Sequence, residues 1–273
     1  MRSTSNPAFR NLPVGGGGYA GFNSAPARFP GSGYSESDTQ SRYGGALPTT
    51  SRPMTVDDVV TKTSITLAVL IATGAATYFS GLWGLALPAA LIGFVLALIV
   101  IFKKVVSPPL ILAYAAVEGV FLGGISGAMS STVARYTGSS SLVLEAITGT
   151  VLVFAGMLVV YKTGAVKVTP RFTKWITGAL IGAVGLMLVN LIASFFLPGG
   201  LGLRSGGPLA IVFSLVVIGI AALSLLLDFD MADEAIRRGA PAKFAWYVAF
   251  GLLVTLVWLY LEILRLLSYF QSE

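Results

Sequence analysis

Seven stretches of apolar residues between Ser64 and Phe270 leave this chain very few possible folds. Each stretch is long enough to cross the hydrocarbon core of a bilayer, about 30 Å thick, as an α-helix that rises about 1.5 Å per residue. A membrane β-barrel would show alternating strands of about ten residues instead. Hydrophobic residues make up 55% of the chain and charged residues only 11%, which is too little polar surface for a soluble protein of 273 residues. The sequence therefore predicts an all-α integral membrane protein, a seven-transmembrane-helix bundle.

The chain divides by composition into two regions. Residues 1–60 are rich in Gly, Ser and Pro and show no apolar period that builds a core, so we predict a disordered N-terminal tail followed by a membrane domain over residues 61–273. We expect the spans at roughly residues 63–82, 84–102, 108–129, 141–161, 175–197, 208–230 and 246–270.

Positive charge is distributed unevenly across these spans. All but three of the 18 Lys and Arg residues lie on one side, and the exceptions are Arg135, Arg204 and Arg265. Cytoplasmic loops of membrane proteins carry an excess of Lys and Arg. We therefore expect the N-terminus in the cytoplasm and, after seven crossings, the C-terminus outside. The net charge of +6 follows this asymmetry, so we expect the lipid bilayer and no nucleic acid as partner.

The absence of two residue types limits the chemistry. The chain has no Cys and no His, which excludes thiolate nucleophiles, sulfur-ligated metals and the usual proton shuttle. An intramembrane serine protease that relies on a Ser/His pair is excluded as well, and the Gly-x-Gly-Asp motif of intramembrane aspartyl proteases is missing. We expect a protein that is not an enzyme and has no cofactor.

Four carboxylates lie inside or at the ends of the predicted spans: Glu118, Asp228, Asp230 and Glu262. A charge in hydrocarbon costs at least about 2.5 kcal/mol, so it usually faces the bundle interior or an ion pathway. Glu118 is expected about 15 Å along the third span, near mid-bilayer, and Glu262 at mid-depth or beyond. Asp228 and Asp230 lie about 200° apart around their helix, so only one of them faces inward.

Two polar residues are expected beside Glu262. Arg265 follows it by about one helical turn, and Asn190 of the fifth span lies at a similar level, which predicts one buried polar cluster. The alternative for Glu118 and Glu262 is a structural hydrogen bond or salt bridge. For Asp228 the alternative is an interfacial acid that faces the lipid headgroups.

The segments Leu-Leu-Leu-Asp-Phe-Asp (225–230) and Trp-Leu-Tyr-Leu-Glu-Ile-Leu-Arg-Leu-Leu (258–267) resemble the Bax inhibitor-1 family, also called the transmembrane Bax inhibitor motif family. The likeness is to its bacterial, YccA-like branch. It lies in Phe229-Asp230 at the end of span six and in the element around Tyr260 and Glu262 in span seven. The resemblance implies a protein of the bacterial plasma (inner) membrane.

The resemblance also implies a function, a pH-sensitive calcium leak channel. Asp230 and Glu262 match the hydrogen-bonded carboxyl pair of the family, and Tyr260 is a supporting polar residue. Two close carboxyls in a low dielectric titrate as a coupled pair, and ionised oxygens suit calcium, here a permeant ion rather than a cofactor. Helix rise, however, separates Asp230 from Glu262 by about 15 Å. Glu118 is therefore the alternative partner of Glu262, and Asp228 competes with Asp230 for the inward face.

Two other functions remain open. The first is a regulatory membrane protein that binds a membrane protease or another membrane partner through its tail, since the YccA-like branch is associated with inhibiting a membrane protease. The second is a proton-coupled transporter, which also uses buried carboxylates, although the sequence shows no broken-helix repeat. The oligomeric state is not predicted.

Overall fold

The fold is known from a computed structural model that describes residues 52–103, 106–137 and 141–271. Over these ranges seven helices are long and apolar enough to cross a membrane, which confirms the predicted all-α bundle. The helices are α1 (Val56–Ser80), α2 (Ala86–Lys103), α3 (Pro108–Thr137), α4 (Leu142–Thr163), α5 (Pro170–Ala193), α6 (Pro208–Arg237) and α7 (Phe244–Phe270). Most of the predicted tail, residues 1–51, lies outside the described residues.

Four helices begin or end well away from the predicted boundaries, and one of them, α3, continues past residue 129 to Thr137. α1 begins at Val56, inside the predicted tail, because Thr55 and Asp58 form a reciprocal capping box at its first turn. α5 begins at Pro170, a residue favoured in the first turn, and not near residue 175. α6 continues beyond residue 230 to Arg237, so the acids at 228 and 230 lie within a helix rather than at its end.

α7 is the central helix of the bundle. It packs against α1, α3, α4 and α6. Its apolar window is 61% buried, against 56% for α3 and less for the other spans. α2 lies outside on α3, and α5 lies outside on α6. A side chain on α7 therefore meets protein on most sides, which makes this helix the place where a buried polar group has the most partners.

Glycines set the distance between α1 and α3. A Cβ at Gly119 or Gly123 would collide with the backbone of α1, so these two positions allow the close helix approach that small residues typically give. Gly178 and Gly182 of α5 carry the same spacing, but an added Cβ there would meet nothing within 4 Å among the described residues. These two glycines therefore do not bring another helix of the described chain into close contact with α5.

The segment before α1 is attached to the turn between α6 and α7. Pro53 and Pro241 form an antiparallel bridge. The amide of Met54 donates to the Ala240 carbonyl at 2.7 Å. Met54 is only 2% exposed, so its side chain belongs to the core. The start of α1 and the entry to α7 are thus joined at one end of the bundle.

Candidate functional site

Glu262 of α7 is buried, with 2% of its surface exposed, and it is held by two arginines. Its Oε1 accepts a hydrogen bond from Arg265 Nη1 at 2.9 Å and a second one from Arg204 Nη2 at 3.4 Å. Arg265 follows one turn later on the same helix, whereas Arg204 belongs to the connection between α5 and α6. A buried carboxylate needs such partners because its desolvation is otherwise uncompensated.

The sequence interpretation missed Arg204 as a partner of Glu262 and treated it only as a loop charge. Its connection turns back over the bundle through glycines with positive φ, including Gly200 at 63° and Gly206 at 85°, a backbone region in which glycine is favoured. Burial lowers the pKa of the Arg204 guanidinium, and the charge of Arg265 lowers it further, although arginine stays protonated in proteins. The only sequence signal was that Arg204 is one of few cations on its side of the spans.

Asn190 does not join Glu262 in the predicted polar cluster. Its side chain is buried, and its Oδ1 accepts a hydrogen bond from the Leu201 amide at 2.9 Å. An added Cβ at Gly200 would lie 2.8 Å from the Asn190 carbonyl oxygen, so the chain turns tightly there. Asn190 therefore shapes the connection that carries Arg204, and its link to Glu262 is indirect.

Asp228 lies between α6 and α7. Its Oδ2 accepts a hydrogen bond from Thr255 Oγ1 at 2.6 Å, and the same hydroxyl is 3.3 Å from the Gly251 carbonyl. The carboxylate is directed at the central helix about 13 Å before the end of α6. The Asp228 carboxylate thus has a protein partner on the neighbouring helix α7.

The structure does not bring Asp230 and Glu262 together. α6 and α7 are antiparallel neighbours, with Asp228 opposite Thr255. Counted from that contact, Asp230 and Glu262 lie on opposite sides of it, and their levels differ by about nine residues, or about 13 Å. Asp230 is half-buried and lies near enough to the Tyr161 hydroxyl of α4 for an electrostatic interaction. The carboxyl pair implied by the family resemblance is not formed here.

Glu118 is buried but faces a different helix. Its Oε2 lies against Gly93 of α2, where an added Cβ would approach within 2.7 Å. In the described part of the chain it has no hydrogen bond or ion pair. It does not meet Glu262, so the alternative pair is not formed either. Gly93 is the residue that makes room for this carboxyl between α2 and α3.

Tyr260 connects the central helix to α3. Its hydroxyl is 2.7 Å from Ser126 Oγ, and both residues are buried. The hydroxyl pair satisfies two polar groups that would otherwise be unpaired inside the bundle. Tyr260 thus lies two residues from Glu262 but points to another neighbour.

A second buried ion cluster, which the sequence interpretation missed, closes the other end of the bundle. Asp58 is 7% exposed and accepts two hydrogen bonds from the Arg52 guanidinium, both at 2.8 Å. Lys62 lies 3.2 Å from the same carboxylate and donates to the Ala242 carbonyl at 2.6 Å. The signals available were the capping box at Thr55 and the i,i+4 spacing of Asp58 and Lys62.

The acids remain dispersed rather than clustered. Among the described residues no group of three or more acidic side chains converges in a way that could hold a metal ion. Calcium typically takes six to eight oxygen ligands.

Seven spans with α7 at their centre, and with acids held inside the bundle, define a multi-pass membrane protein. The family model described as Bax inhibitor 1 like matches residues 6–272. The chain therefore belongs to the Bax inhibitor 1 like family, which confirms the resemblance carried by the ends of α6 and α7. No curated protein matches the chain in sequence.

Proposed function

We propose that this protein is a non-enzymatic, pH-sensitive cation leak channel, with calcium as the expected permeant ion. The observation that carries the proposal is that three of the acids within the spanning helices have three different environments. Glu118 has no hydrogen-bond partner among the described residues, Asp228 is bonded to a hydroxyl, and Glu262 is paired with arginines. Acids held inside a membrane bundle typically mark an ion or proton pathway, and family membership supports the same conclusion.

Asp228 is the best candidate for contact with the permeant ion. Its carboxylate and the Thr255 hydroxyl supply adjacent oxygens between two neighbouring helices. Calcium prefers oxygen ligands, but two side chains are far fewer than a tight site needs. Such a pair attracts a cation and lets it leave, which conduction requires.

We propose Glu262, which the family resemblance includes in the sensor, as the acid whose charge controls the position of Arg204. Protonation removes its negative charge, so the attraction that holds Arg204 and Arg265 on one carboxylate oxygen is lost. Arg204 is then free to move with the connection between α5 and α6. In this proposal the sensor is an ion pair, and it replaces the carboxyl pair of Asp230 and Glu262.

We further propose that the protein lies in a bacterial plasma membrane, as expected for the YccA-like branch. The Lys and Arg asymmetry favours a cytoplasmic N-terminus and an external C-terminus. The connection that carries Arg204 then faces the outside.

Calcium uptake into proteoliposomes that contain the purified full chain tests the proposal. Asp228→Asn is expected to lower the flux well below wild type, because the cation loses its charged contact. Asp230→Asn is expected to have a smaller effect. Asp233→Asn is the matched control, since Asp233 is 46% exposed and paired with Arg237 at the end of α6. Equal flux in the Asp228 and Asp233 variants would refute the role of Asp228.

A second candidate function is regulation of a membrane protein partner through the N-terminal tail. The observation in its favour is the attachment of Arg52 and Met54 to the turn that enters the central helix. A partner that pulls on the tail would therefore act on α7. Co-purification of the full chain and of a chain without residues 1–50 tests this function, since a channel that works alone keeps its calcium flux after the deletion.

A further inference from the structure

A cleft separates α1 from α4 on one side of the bundle. Its floor is formed by α3 and α7, and its volume is about 540 Å³. This volume lies within the range of about 300–1,000 Å³ that is typical of ligand pockets. The lining is apolar except for a few hydroxyls, of which Tyr260 and Ser126 are bonded to each other.

The length of the cleft matches one leaflet of a bilayer. Along α1 it extends from Leu67 to Phe79, about 18 Å by helix rise, and along α4 from Val143 to Phe154, about 16 Å. Half of the hydrocarbon core is about 15 Å thick. The cleft therefore reaches from one membrane interface to about mid-bilayer.

The residues at the rim of the cleft indicate whether it opens to lipid or to water. Ile71 is 63% exposed, Phe79 84%, Leu144 69% and Val151 58%, and all four belong to membrane spans. In a spanning helix such residues face hydrocarbon. The cleft is thus open sideways to the acyl chains of the bilayer and not to water.

We propose that the cleft is a binding site for one acyl chain of a membrane phospholipid, drawn from the leaflet on the side of the α1–α2 turn. The headgroup then lies at the interface near Trp83, an exposed aromatic residue of the kind enriched there. The chain fills the space between α1 and α4 and contacts Leu256, Val257 and Tyr260 of α7.

Contact with α7 makes the bound lipid a support for the central helix. Leu256 and Val257 lie one to two turns before Glu262 on the same helix. At this level α1 and α4 do not contact each other across the cleft. An acyl chain in the cleft fills that gap and packs against α7, so it stabilises the position of α7. The site itself stands on the cleft geometry and does not depend on the proposed channel function.

Photocrosslinking in nanodiscs tests the site with the full chain. The probe is a phosphatidylcholine with a diazirine in one acyl chain, in a bilayer of unlabelled phosphatidylcholine. We expect crosslinks concentrated on cleft residues of α1, α4 and α7. Ala75→Trp, which fills the cleft from its exposed rim, is expected to lose most of this labelling. Ala76→Trp is the matched control, because Ala76 is exposed on the same turn but does not line the cleft.

A second pair of variants guards against misfolding of the first. Val151→Trp fills the cleft from α4, and Leu152→Trp places the same side chain on the adjacent exposed position outside it. Loss of labelling in the cleft variant and its retention in the control support the site. Equal labelling in both members of each pair, or labelling spread evenly over the outer helix α5, would overturn it and indicate ordinary boundary lipid.

Discussion

Arg265→Met isolates the strongest contact of Glu262. The substitution removes the guanidinium but keeps a long apolar side chain. In the wild type the two charged groups are 2.9 Å apart, and Glu262 is 2% exposed. After the substitution Glu262 retains only Arg204, at 3.4 Å.

The cost follows from the geometry. Removing one partner of a buried ion pair typically costs about 3–5 kcal/mol, because the remaining charge is left uncompensated. Arg204 stays nearby, but its side chain is 32% exposed and its contact is longer. We therefore expect a loss of about 3 kcal/mol in the free energy of unfolding, a change of more than about a hundredfold in the folding equilibrium. Arg204→Met is expected to cost less, about 1 kcal/mol.

Reversible unfolding in lipid–detergent micelles measures these differences. The control is Arg238→Met, which breaks an ion pair with Glu234 in which the arginine side chain is 76% exposed, and it should change little. The reasoning is refuted if Arg265→Met is no less stable than Arg238→Met.

Three further predictions concern other contacts. Asp58→Asn weakens the attachment of the segment before α1, so limited proteolysis near the start of α1 is expected to become faster, while the exposed neighbour in Asp57→Asn leaves the rate unchanged. Gly123→Ala forces a methyl group against the backbone of α1 and is expected to cost about 1–3 kcal/mol of unfolding free energy, whereas Gly178→Ala, with open space around it, should cost nothing measurable. Tyr260→Phe removes one buried hydrogen bond to α3 and is expected to cost about 1 kcal/mol in the same unfolding assay; no change would show that the bond contributes nothing.

Apolar runs predict the spans well because a membrane helix must satisfy its backbone internally and bury a fixed thickness of hydrocarbon. They say little about how the helices stand against each other. Asp230 and Glu262 are close in the family-based expectation, but the contact of Asp228 with Thr255 sets a register that leaves them about 13 Å apart in level. Apolar runs also do not show which neighbouring helix a side chain faces. Glu118 faces α2 because Gly93 leaves space for its carboxyl group there.

Long-range contacts made by irregular segments are the other part that sequence reasoning missed. Arg204 reaches Glu262 because glycines with positive φ turn its connection back over the bundle. The residues around Arg52 look like tail by composition, yet their backbone pairs with residues 240–242, far along the chain. Neither pairing produces a periodic pattern in the sequence, because its two segments come together only when the helices have packed.

The dependence of calcium flux on pH, compared between the wild type and Glu262→Gln in proteoliposomes, tests the proposed sensor most directly. The substitution keeps the size of the side chain, and the neutral amide imitates the protonated carboxyl group. We predict that wild-type flux changes with pH and that the flux of the Glu262→Gln variant does not. A variant whose flux follows the wild-type pH profile would contradict the role of the Glu262 ion pair.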